Sequence, residues 1–197
     1  STILDVLKRD VSIQKAISRT DGIDILPSDI TLSSSGLEYK QGEEKESILK
    51  NVLKPVMDFY DYIVIDSPPS LSLLTVNGLI AARYILLPVQ AEFYALEGLG
   101  QLLETMKLIR KGLNPSLELL GVLPTMMDAR TTLSTQVHDE IKKHFPDKVF
   151  TATIPRNIRL AEAPSHGLPV GAYDRFSKGA RAYKALAKEI MERTAAI

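Results

Sequence analysis

The sequence predicts an α/β protein with a doubly wound, mostly parallel sheet. Short apolar runs recur along the 197-residue chain at 62–65, 84–87 and 117–123, as expected for parallel strands that are buried on both faces. Between them, apolar residues return at three- and four-residue intervals, which is typical of amphipathic helices. Because parallel neighbours need helical crossovers, this alternation predicts helices on both faces of one sheet.

The first part of the chain predicts short elements and one surface excursion. Apolar spacing over residues 4–17 indicates a helical beginning, and Gly22 precedes a short predicted strand at 23–27. Residues 33–46 are polar and acidic, so we expect a mobile or helical surface excursion there. Helical spacing resumes at 48–53 and ends before Pro55.

The run 62–65 ends at Asp66, and Pro68-Pro69 favours an extended exit. An acid at the carboxyl end of a buried parallel strand faces the crevice in which such sheets bind ligands. A carboxylate in that position suits Mg²⁺ beside a nucleotide. The alternative is that Asp66 only caps the following helix.

The remaining predicted elements alternate regularly. They are a helix that starts at Ser70, a strand at 83–89, a helix at 96–112, a strand at 117–123, a helix around 137–141, a strand at 149–154 and a final helix around 180–190. Gln90, Thr125 and Arg156 fall just after predicted strands, as Asp66 does. All four therefore belong to the edge of the sheet where such folds bind ligands.

Composition limits the classes of function. The chain is 45% hydrophobic and 24% charged, which favours a single globular domain over 1–197. It contains no cysteine, which excludes disulfides and thiolate metal sites. No apolar run approaches a membrane span and residues 1–5 lack signal-peptide character, so we expect a cytoplasmic protein. Residues 142–197 hold 11 Lys and Arg against five Asp and Glu, a basic excess that fits either a polyanion surface or solvated helix faces.

Four segments resemble the ParA/Soj branch of the ParA–MinD ATPases, the partitioning proteins of plasmids and chromosomes. They are YDYIVIDSPPSLSLLTVNGL (60–79), LLPVQAEFYALEGLGQLL (86–103), GVLPTMMDARTTLSTQV (121–137) and IPRNIRLAEAPSHGLPVGAYDRFSKGA (154–180). The resemblance implies the P-loop NTPase type of sheet. For the complete protein it implies ATP and Mg²⁺ as ligands, a homodimer, nonspecific DNA binding, a ParB-type partner that stimulates hydrolysis, and nucleoid association when bound to DNA.

The resemblance also implies roles for individual residues. Asp66 looks like the Walker B acid that holds Mg²⁺, and Ser67, Pro68 and Pro69 resemble the switch that follows it. The other implied sites are adenine contacts at Thr125, Met126, Pro155 and Arg156, and DNA contacts at Arg130, Arg159 and Lys178. Plain alternatives are an ordinary turn made rigid by two prolines for the switch residues, a structural loop for the adenine residues and a solvated helix face for Lys178.

One part of the family pattern is missing. The 197 residues contain no Gly-Lys dipeptide, hence no Walker A loop. The sequence therefore resembles a family member without its first βαβ unit, including the Walker A lysines and the water-positioning Asp. We expect a truncated form of a longer protein, with no catalytic residues of its own, exposed apolar surface beside the 62–65 run, and no family-like ATP hydrolysis when alone.

Two alternatives to the ATPase remain. One is a non-catalytic DNA- or partner-binding module derived from the same family. The other is the membrane-associated MinD-like branch, which needs a basic amphipathic carboxyl terminus. Residues 185–197 carry Glu189 and Glu192 and no bulky aromatic side chain, so this branch is disfavoured.

Overall fold

The structure is a computed structural model that describes residues 1–20, 22–34, 45–68, 70, 72–92, 97–128 and 130–195. The chain divides into two compact units. Ser1–Arg83 and Met106–Leu117 form the first, whereas Tyr84–Thr105 and Glu118–Ile197 form the second. None of the described helices has the length and apolar character needed to cross a bilayer.

The first unit is built mainly from short helices. Its elements are α1 (Ile3–Leu7), α2 (Ile13–Ala16), β1 (Ser18–Arg19), β2 (Asp24–Ile25), α3 (Thr31–Ser34), α4 (Ile48–Leu53) and α5 (Leu73–Ala81), with single 3₁₀ turns at Lys45–Ser47 and Met57–Phe59. Strands β1 and β2 form a small antiparallel pair. A buried cluster joins the helices through Val6, Ile13, Ala16, Leu49, Leu53 and Val56.

Asn114 closes the first unit from a distant part of the sequence. Its side chain is buried and its Nδ2 donates hydrogen bonds to the carbonyls of Leu79, Ile80 and Ala82 at 3.0, 3.2 and 2.7 Å. These carbonyls end α5, where a helix leaves acceptors without intrahelical partners. The carbonyls at the carboxyl end of α5 thereby gain hydrogen-bond partners in a largely buried place.

The second unit contains a parallel sheet. Its elements are β3 (Tyr84–Gln90), α6 (Glu97–Gly112, which continues into the first unit), β4 (Glu118–Thr125), α7 (Thr132–His144), α8 (Ile158–Glu162), a 3₁₀ turn at Ala163–His166, α9 (Val170–Tyr173) and α10 (Lys178–Ala195). Strands β3 and β4 are parallel, from Tyr84 opposite Glu118 to Gln90 opposite Thr125. The predicted α/β class with parallel strands and helical crossovers is confirmed.

Residues 148–155 lie along the other edge of β4. Val122 donates to the Lys148 carbonyl at 2.8 Å, Phe150 donates to the Val122 carbonyl at 2.9 Å, and parallel bridges join Val122 to Val149 and Met127 to Pro155. The segment predicted as a regular strand at 149–154 therefore forms only isolated bridges. Pro155, which has no amide hydrogen, contributes to this irregularity at the end of the segment.

The prediction of a buried strand at 62–65 is wrong for this chain. Residues 62–68 have no regular secondary structure, and Tyr62, Ile63 and Val64 are 51%, 41% and 90% exposed. A run of apolar residues becomes a buried strand only when a neighbouring strand supplies hydrogen bonds and helices cover its faces. No described residue pairs with 62–65 in a sheet, and the expected exposed apolar surface is present.

Several predicted boundaries move by a few residues. Helix α5 begins at Leu73 with Ser72 as its N-cap residue, rather than at Ser70, and the helical beginning is two short helices. Strand β4 continues through Thr125, so Thr125 belongs to the strand instead of following it. The predicted excursion at 33–46 lies largely outside the described residues, since 35–44 are not among them.

Candidate functional site

Asp66 is an exposed carboxylate in the first unit, within the irregular segment that precedes α5. Ser67 and Pro68 follow it and are also exposed, whereas Pro69 lies outside the described residues. Ile65, Asp66, Ser67 and Pro68 form one wall of a small, mostly apolar pocket of about 90 Å³. Leu49, Leu74 and Asn77 line the pocket from α4 and α5.

Asp66 fits only one kind of metal site. Among the described residues, no group of three or more His, Asp or Glu side chains is arranged to hold an ion. A single accessible carboxylate does fit Mg²⁺, since this ion keeps several waters and in nucleotide sites is held by one or two carboxylates together with phosphate oxygens. A Mg²⁺ ion at Asp66 would therefore need its remaining ligands from water or from a bound molecule such as a phosphate.

Helix α5 approaches this segment closely because residue 78 is a glycine. A Cβ atom at Gly78 would lie 3.0 Å from Ser67 Oγ and 3.6 Å from Ile65 Cγ2. The first distance is shorter than ordinary van der Waals contact. Gly78 thus lets the residues on either side of Asp66 rest against the helix.

In the second unit, Thr125 and Met126 lie at the carboxyl edge of the parallel sheet. Thr125 is the last residue of β4, opposite Gln90, and its carbonyl accepts a hydrogen bond from the Ala91 amide at 3.0 Å. Met126 has φ +56° and its side chain is 39% exposed. A non-glycine residue in the left-handed region carries backbone strain, a feature that clusters at functional sites.

Pro155 and Arg156 reach the same edge from the neighbouring segment. The Arg156 amide donates to the Met127 carbonyl at 3.0 Å, and Met127 bridges Pro155. The Arg156 guanidinium lies 3.7 Å from a Glu92 carboxylate oxygen, and both side chains are more than half exposed. The structure therefore brings Thr125, Met126, Pro155 and Arg156 together at one edge, with an apolar side chain, a hydroxyl and a planar cation available to a ligand.

Arg130 is held by an acid two residues before it. Its Nε and Nη2 donate to the two carboxylate oxygens of Asp128 at 2.9 and 2.7 Å, while 88% of its side chain stays exposed. These hydrogen bonds keep the pKa of the Asp128 carboxyl well below its ordinary value and raise the pKa of Arg130. A phosphate that binds Arg130 must therefore compete with Asp128 for the same guanidinium.

Arg159 and Lys178 lie on adjacent helices. Arg159 of α8 is paired with Glu162 at 2.8 Å and with Asp174 at 3.4 Å, and its hydrogen bond lowers the pKa of Glu162. Lys178 is exposed at the start of α10, next to Gly179, whose absent Cβ would come within 2.7 Å of Leu160. Close packing of Gly179 on Leu160 places the start of α10 against α8, whereas no described contact links Arg130 to these helices.

The sequence interpretation missed the acids that accompany these cations. Glu92, Asp128, Glu162 and Asp174 each pair with a residue of the predicted sites. Spacings of two and three residues could have revealed Asp128 and Glu162. Glu92 and Asp174 come from separate elements, so only the fold identifies them.

The sequence has close relatives among bacterial partitioning proteins. The AAA domain family profile matches residues 1–119. The chain is 48% identical over 190 residues to the sporulation initiation inhibitor protein Soj of Bacillus subtilis strain 168, covering 95% of this chain and 75% of that protein. It is 44% identical over 194 residues to the chromosome-partitioning ATPase Soj of Treponema pallidum strain Nichols, covering 98% of this chain and 77% of the relative.

A solved structure with bound nucleotide has a similar fold. Cobyrinic acid a,c-diamide synthase of Mycobacterium smegmatis with bound ADP and magnesium superposes with a TM-score of 0.79. The two sequences are 36% identical, and the alignment covers 95% of this chain and 70% of the synthase. The chain therefore has the fold of a nucleotide-binding α/β protein.

Proposed function

Because this chain belongs to the ParA/Soj family of partitioning ATPases, we propose that it serves DNA segregation through a nucleotide-dependent interaction with DNA. The observation that carries the nucleotide part is the meeting of Thr125, Met126, Pro155 and Arg156 at one edge of the β3–β4 sheet. Apolar walls with a few directional polar groups are the usual composition of a site for a planar base.

The residues divide the proposed task between them. Met126 and Pro155 contact the faces or edges of adenine, the Thr125 hydroxyl supplies a directional hydrogen bond, and the Arg156 guanidinium stacks on the base. Asp66 holds Mg²⁺ through a water, and Ser67, Pro68 and Pro69 respond to the occupied site as a switch. Bound Mg²⁺ supplies charge neutralisation at the phosphates.

The DNA part of the proposal assigns phosphate contacts to Arg130, Arg159 and Lys178. Exposed cations on loops and helix starts suffice for binding without sequence preference, since such binding uses the phosphate backbone alone. The functional form is a homodimer in which residues 1–197 of each subunit belong to a single domain. This dimer responds to a ParB-type partner. These 197 residues contain no Gly-Lys dipeptide, so the chain by itself is expected to hydrolyse ATP far more slowly than relatives that carry a Walker A loop.

Nucleotide binding is the direct test. A fluorescent, non-hydrolysable ATP analogue is titrated with the chain in Mg²⁺ buffer, and Arg156→Ala is compared with Arg110→Ala, an exposed arginine in the last turn of α6. We expect Arg156→Ala to raise the Kd about tenfold, equivalent to ~1.4 kcal/mol. Arg110→Ala should leave the Kd unchanged. Equal effects of the two changes would contradict the assignment, and absence of binding by the wild-type chain would contradict the nucleotide function.

The same missing dipeptide favours a second candidate, a binding module that engages DNA or a partner without using ATP. It predicts salt-dependent binding to duplex DNA in the absence of nucleotide. DNA binding that requires ATP would exclude this candidate and leave the first.

A further inference from the structure

Thr75 connects helix α5 to the residues that follow Asp66. It lies in the first turn of the helix, is 7% exposed, and has no direct place in the proposed metal or nucleotide contacts. Its hydroxyl donates to the Ser70 carbonyl at 2.5 Å, and the Pro68 carbonyl lies 3.4 Å from the same oxygen. One buried hydroxyl thus contacts the backbone of the candidate switch at Pro68 and the backbone just after the switch at Ser70.

The helix N-cap does not supply this connection. Ser72 is the N-cap residue of α5, yet its side chain makes no capping hydrogen bond. Its buried hydroxyl has no hydrogen-bond partner among the residues that the structure describes. The Ser72 amide does donate to the Ser70 carbonyl at 2.9 Å. Within the part of the chain that the structure describes, the Ser70 carbonyl accepts from the Ser72 amide and from the Thr75 hydroxyl, and Thr75 supplies the side-chain contact.

Helix α5 is itself a fixed support. Buried Asn77 donates to the carbonyls of Lys45 and Leu73 at 2.9 and 3.0 Å and accepts from the Leu49 amide at 3.1 Å. These bonds tie the first half of α5 to the start of α4. Since a satisfied buried amide of this kind is costly to break, the Thr75 hydroxyl is presented from a rigid position.

We propose that Thr75 is a positioning residue for the Asp66 carboxylate. Thr75 fixes the backbone at Pro68 and Ser70, while Gly78 admits Ser67 and Ile65 against the helix, so the chain on both sides of Asp66 rests on α5. The orientation of Asp66 toward Mg²⁺ then depends on the Thr75 hydroxyl. This inference rests on the proposed function, in which Asp66 serves a magnesium-bound nucleotide.

The test compares Thr75→Val, which removes the hydroxyl and keeps the branched shape, with Thr75→Ser, which keeps the hydroxyl. Thr105→Val is the matched control, since Thr105 is a partly exposed α6 threonine whose hydroxyl donates to the Gln101 carbonyl at 2.9 Å. The Kd of a fluorescent, non-hydrolysable ATP analogue is measured with Mg²⁺ and with EDTA. Hydrogen exchange of peptides covering 66–72 is measured without nucleotide.

We expect Thr75→Val to raise the Kd measured with Mg²⁺ about tenfold, which corresponds to ~1.4 kcal/mol. The Kd measured in EDTA should not change. Exchange at 66–72 should rise in Thr75→Val while the rest of α5 stays protected. In Thr75→Ser, the Kd with Mg²⁺ and the exchange at 66–72 should both stay within about threefold of the wild-type values, a change below 1 kcal/mol. Thr105→Val should alter neither.

The outcomes separate the inference from the proposed function. Unchanged exchange at 66–72 in Thr75→Val overturns the positioning role, as does an equal loss of affinity with and without Mg²⁺. If the wild-type chain binds the nucleotide equally well with Mg²⁺ and with EDTA, the proposed role of Asp66 is wrong. The hydrogen exchange of Thr75→Val then decides whether Thr75 still orders residues 66–72. If Thr75→Val does not fold, Thr75→Ala, which also lacks the hydroxyl, must raise exchange at 66–72 for the inference to stand.

Discussion

Asp128 controls how available the Arg130 guanidinium is to a phosphate. Its carboxylate accepts two hydrogen bonds from the Arg130 guanidinium and one from the Arg130 amide, and the positive charge of Arg156 further lowers the pKa of Asp128. Because the folded-state pKa of Asp128 lies below its unfolded value, the carboxylate keeps its charge to a lower pH than a free aspartate does. An exposed pair of this kind contributes little to stability. Its main effect is to occupy Arg130.

At the scale of this residue we predict that Asp128→Asn strengthens nonspecific DNA binding. Losing the competing carboxylate frees Arg130, and the affinity for a labelled duplex of arbitrary sequence should rise about two- to fivefold, within the range of an exposed ion pair. Fluorescence anisotropy over a series of salt concentrations measures this change.

The control is Asp139→Asn, which removes the same charge from an exposed acid of α7. An equal gain in affinity from Asp139→Asn would mean that net charge alone is responsible. Arg130→Ala should lower the dependence of log K on log salt by about one unit, as expected for loss of one phosphate contact.

At the scale of elements, α10 completes the sheet that residues 148–155 leave irregular. Glu189 accepts hydrogen bonds from the Thr151 and Ala152 amides at 2.9 and 2.8 Å, and Arg193 donates to the Val149 carbonyl at 2.7 Å. The Arg193 guanidinium also lies 4.1 Å from the centre of the Phe150 ring. Backbone groups that would pair with a further strand are thus satisfied by side chains of a helix.

Gly121 makes this arrangement possible. A Cβ atom there would lie 2.5 Å from the Lys148 carbonyl oxygen, 2.7 Å from Arg193 Nη1 and 2.8 Å from the Phe150 ring. Two of these three neighbours are a backbone atom and a fully buried ring, which cannot move aside cheaply. Any larger residue at 121 would separate α10 and residues 148–150 from β4.

We predict that Glu189→Gln lowers the free energy of unfolding by about 2 kcal/mol, the size of charge-assisted hydrogen bonds in a partly buried site. Burial by itself raises the pKa of Glu189, but hydrogen bonds from the two amides and Arg193 outweigh it, so the pKa lies below the ordinary 4.5. A group whose pKa is lower in the folded state stabilises the fold at pH values above its pKa in the unfolded chain. This stabilisation is lost as the pH falls through the pKa of the folded state.

Urea unfolding at pH 7 and at pH 3–4 measures both effects. The wild-type chain should lose stability toward acid more steeply than Glu189→Gln does, because the variant lacks the titrating group. Glu192→Gln, on the same helix with a side chain 64% exposed and a Lys188 partner at 3.6 Å, is the matched control. An equal decrease in the free energy of unfolding of Glu192→Gln would show that the hydrogen bonds of Glu189 do not contribute specifically to stability.

At the scale of the whole molecule, the segment 62–65 is the main departure from an ordinary folded surface. Val64 is 90% exposed in the midst of other exposed apolar residues, including Ile63 and, nearby in sequence, Phe59 at 79%. Contiguous apolar surface with a strand-like sequence promotes association between chains. Nonspecific self-association is therefore expected to begin at this segment.

We predict that Val64→Lys reduces concentration-dependent self-association without lowering the midpoint of thermal unfolding, because the side chain has no packed environment to lose. Light scattering coupled to size-exclusion chromatography over a range of concentrations measures it. Ile30→Lys serves as the control, since Ile30 is 86% exposed but lies elsewhere in the first unit. Equal improvement by both variants would attribute the effect to added charge.

Local patterns predicted much of the architecture. The alternation of apolar runs and amphipathic spacing located β3, α6, β4, α7 and α10 to within a few residues, because these elements satisfy their own backbone groups or lie next to a sequential neighbour. The same patterns placed Thr125, Met126, Pro155 and Arg156 at strand ends. The parallel pairing of β3 with β4 and the bridges to 148–155 then explain why they meet.

The sequence by itself determined the α/β class, the order of elements and the residue types at the edge of the sheet, since these depend on periodicity over short distances. Whether 62–65 forms a buried strand depends on tertiary contacts, because an apolar run needs neighbouring strands and covering helices from distant parts of the chain. The tertiary structure also decided which side chains hold the site in place. Thr75 is one such residue, and Glu189 is another. Their hydrogen bonds reach backbone atoms five and 38 residues away, and neither contact follows the periodicity of a helix or a strand.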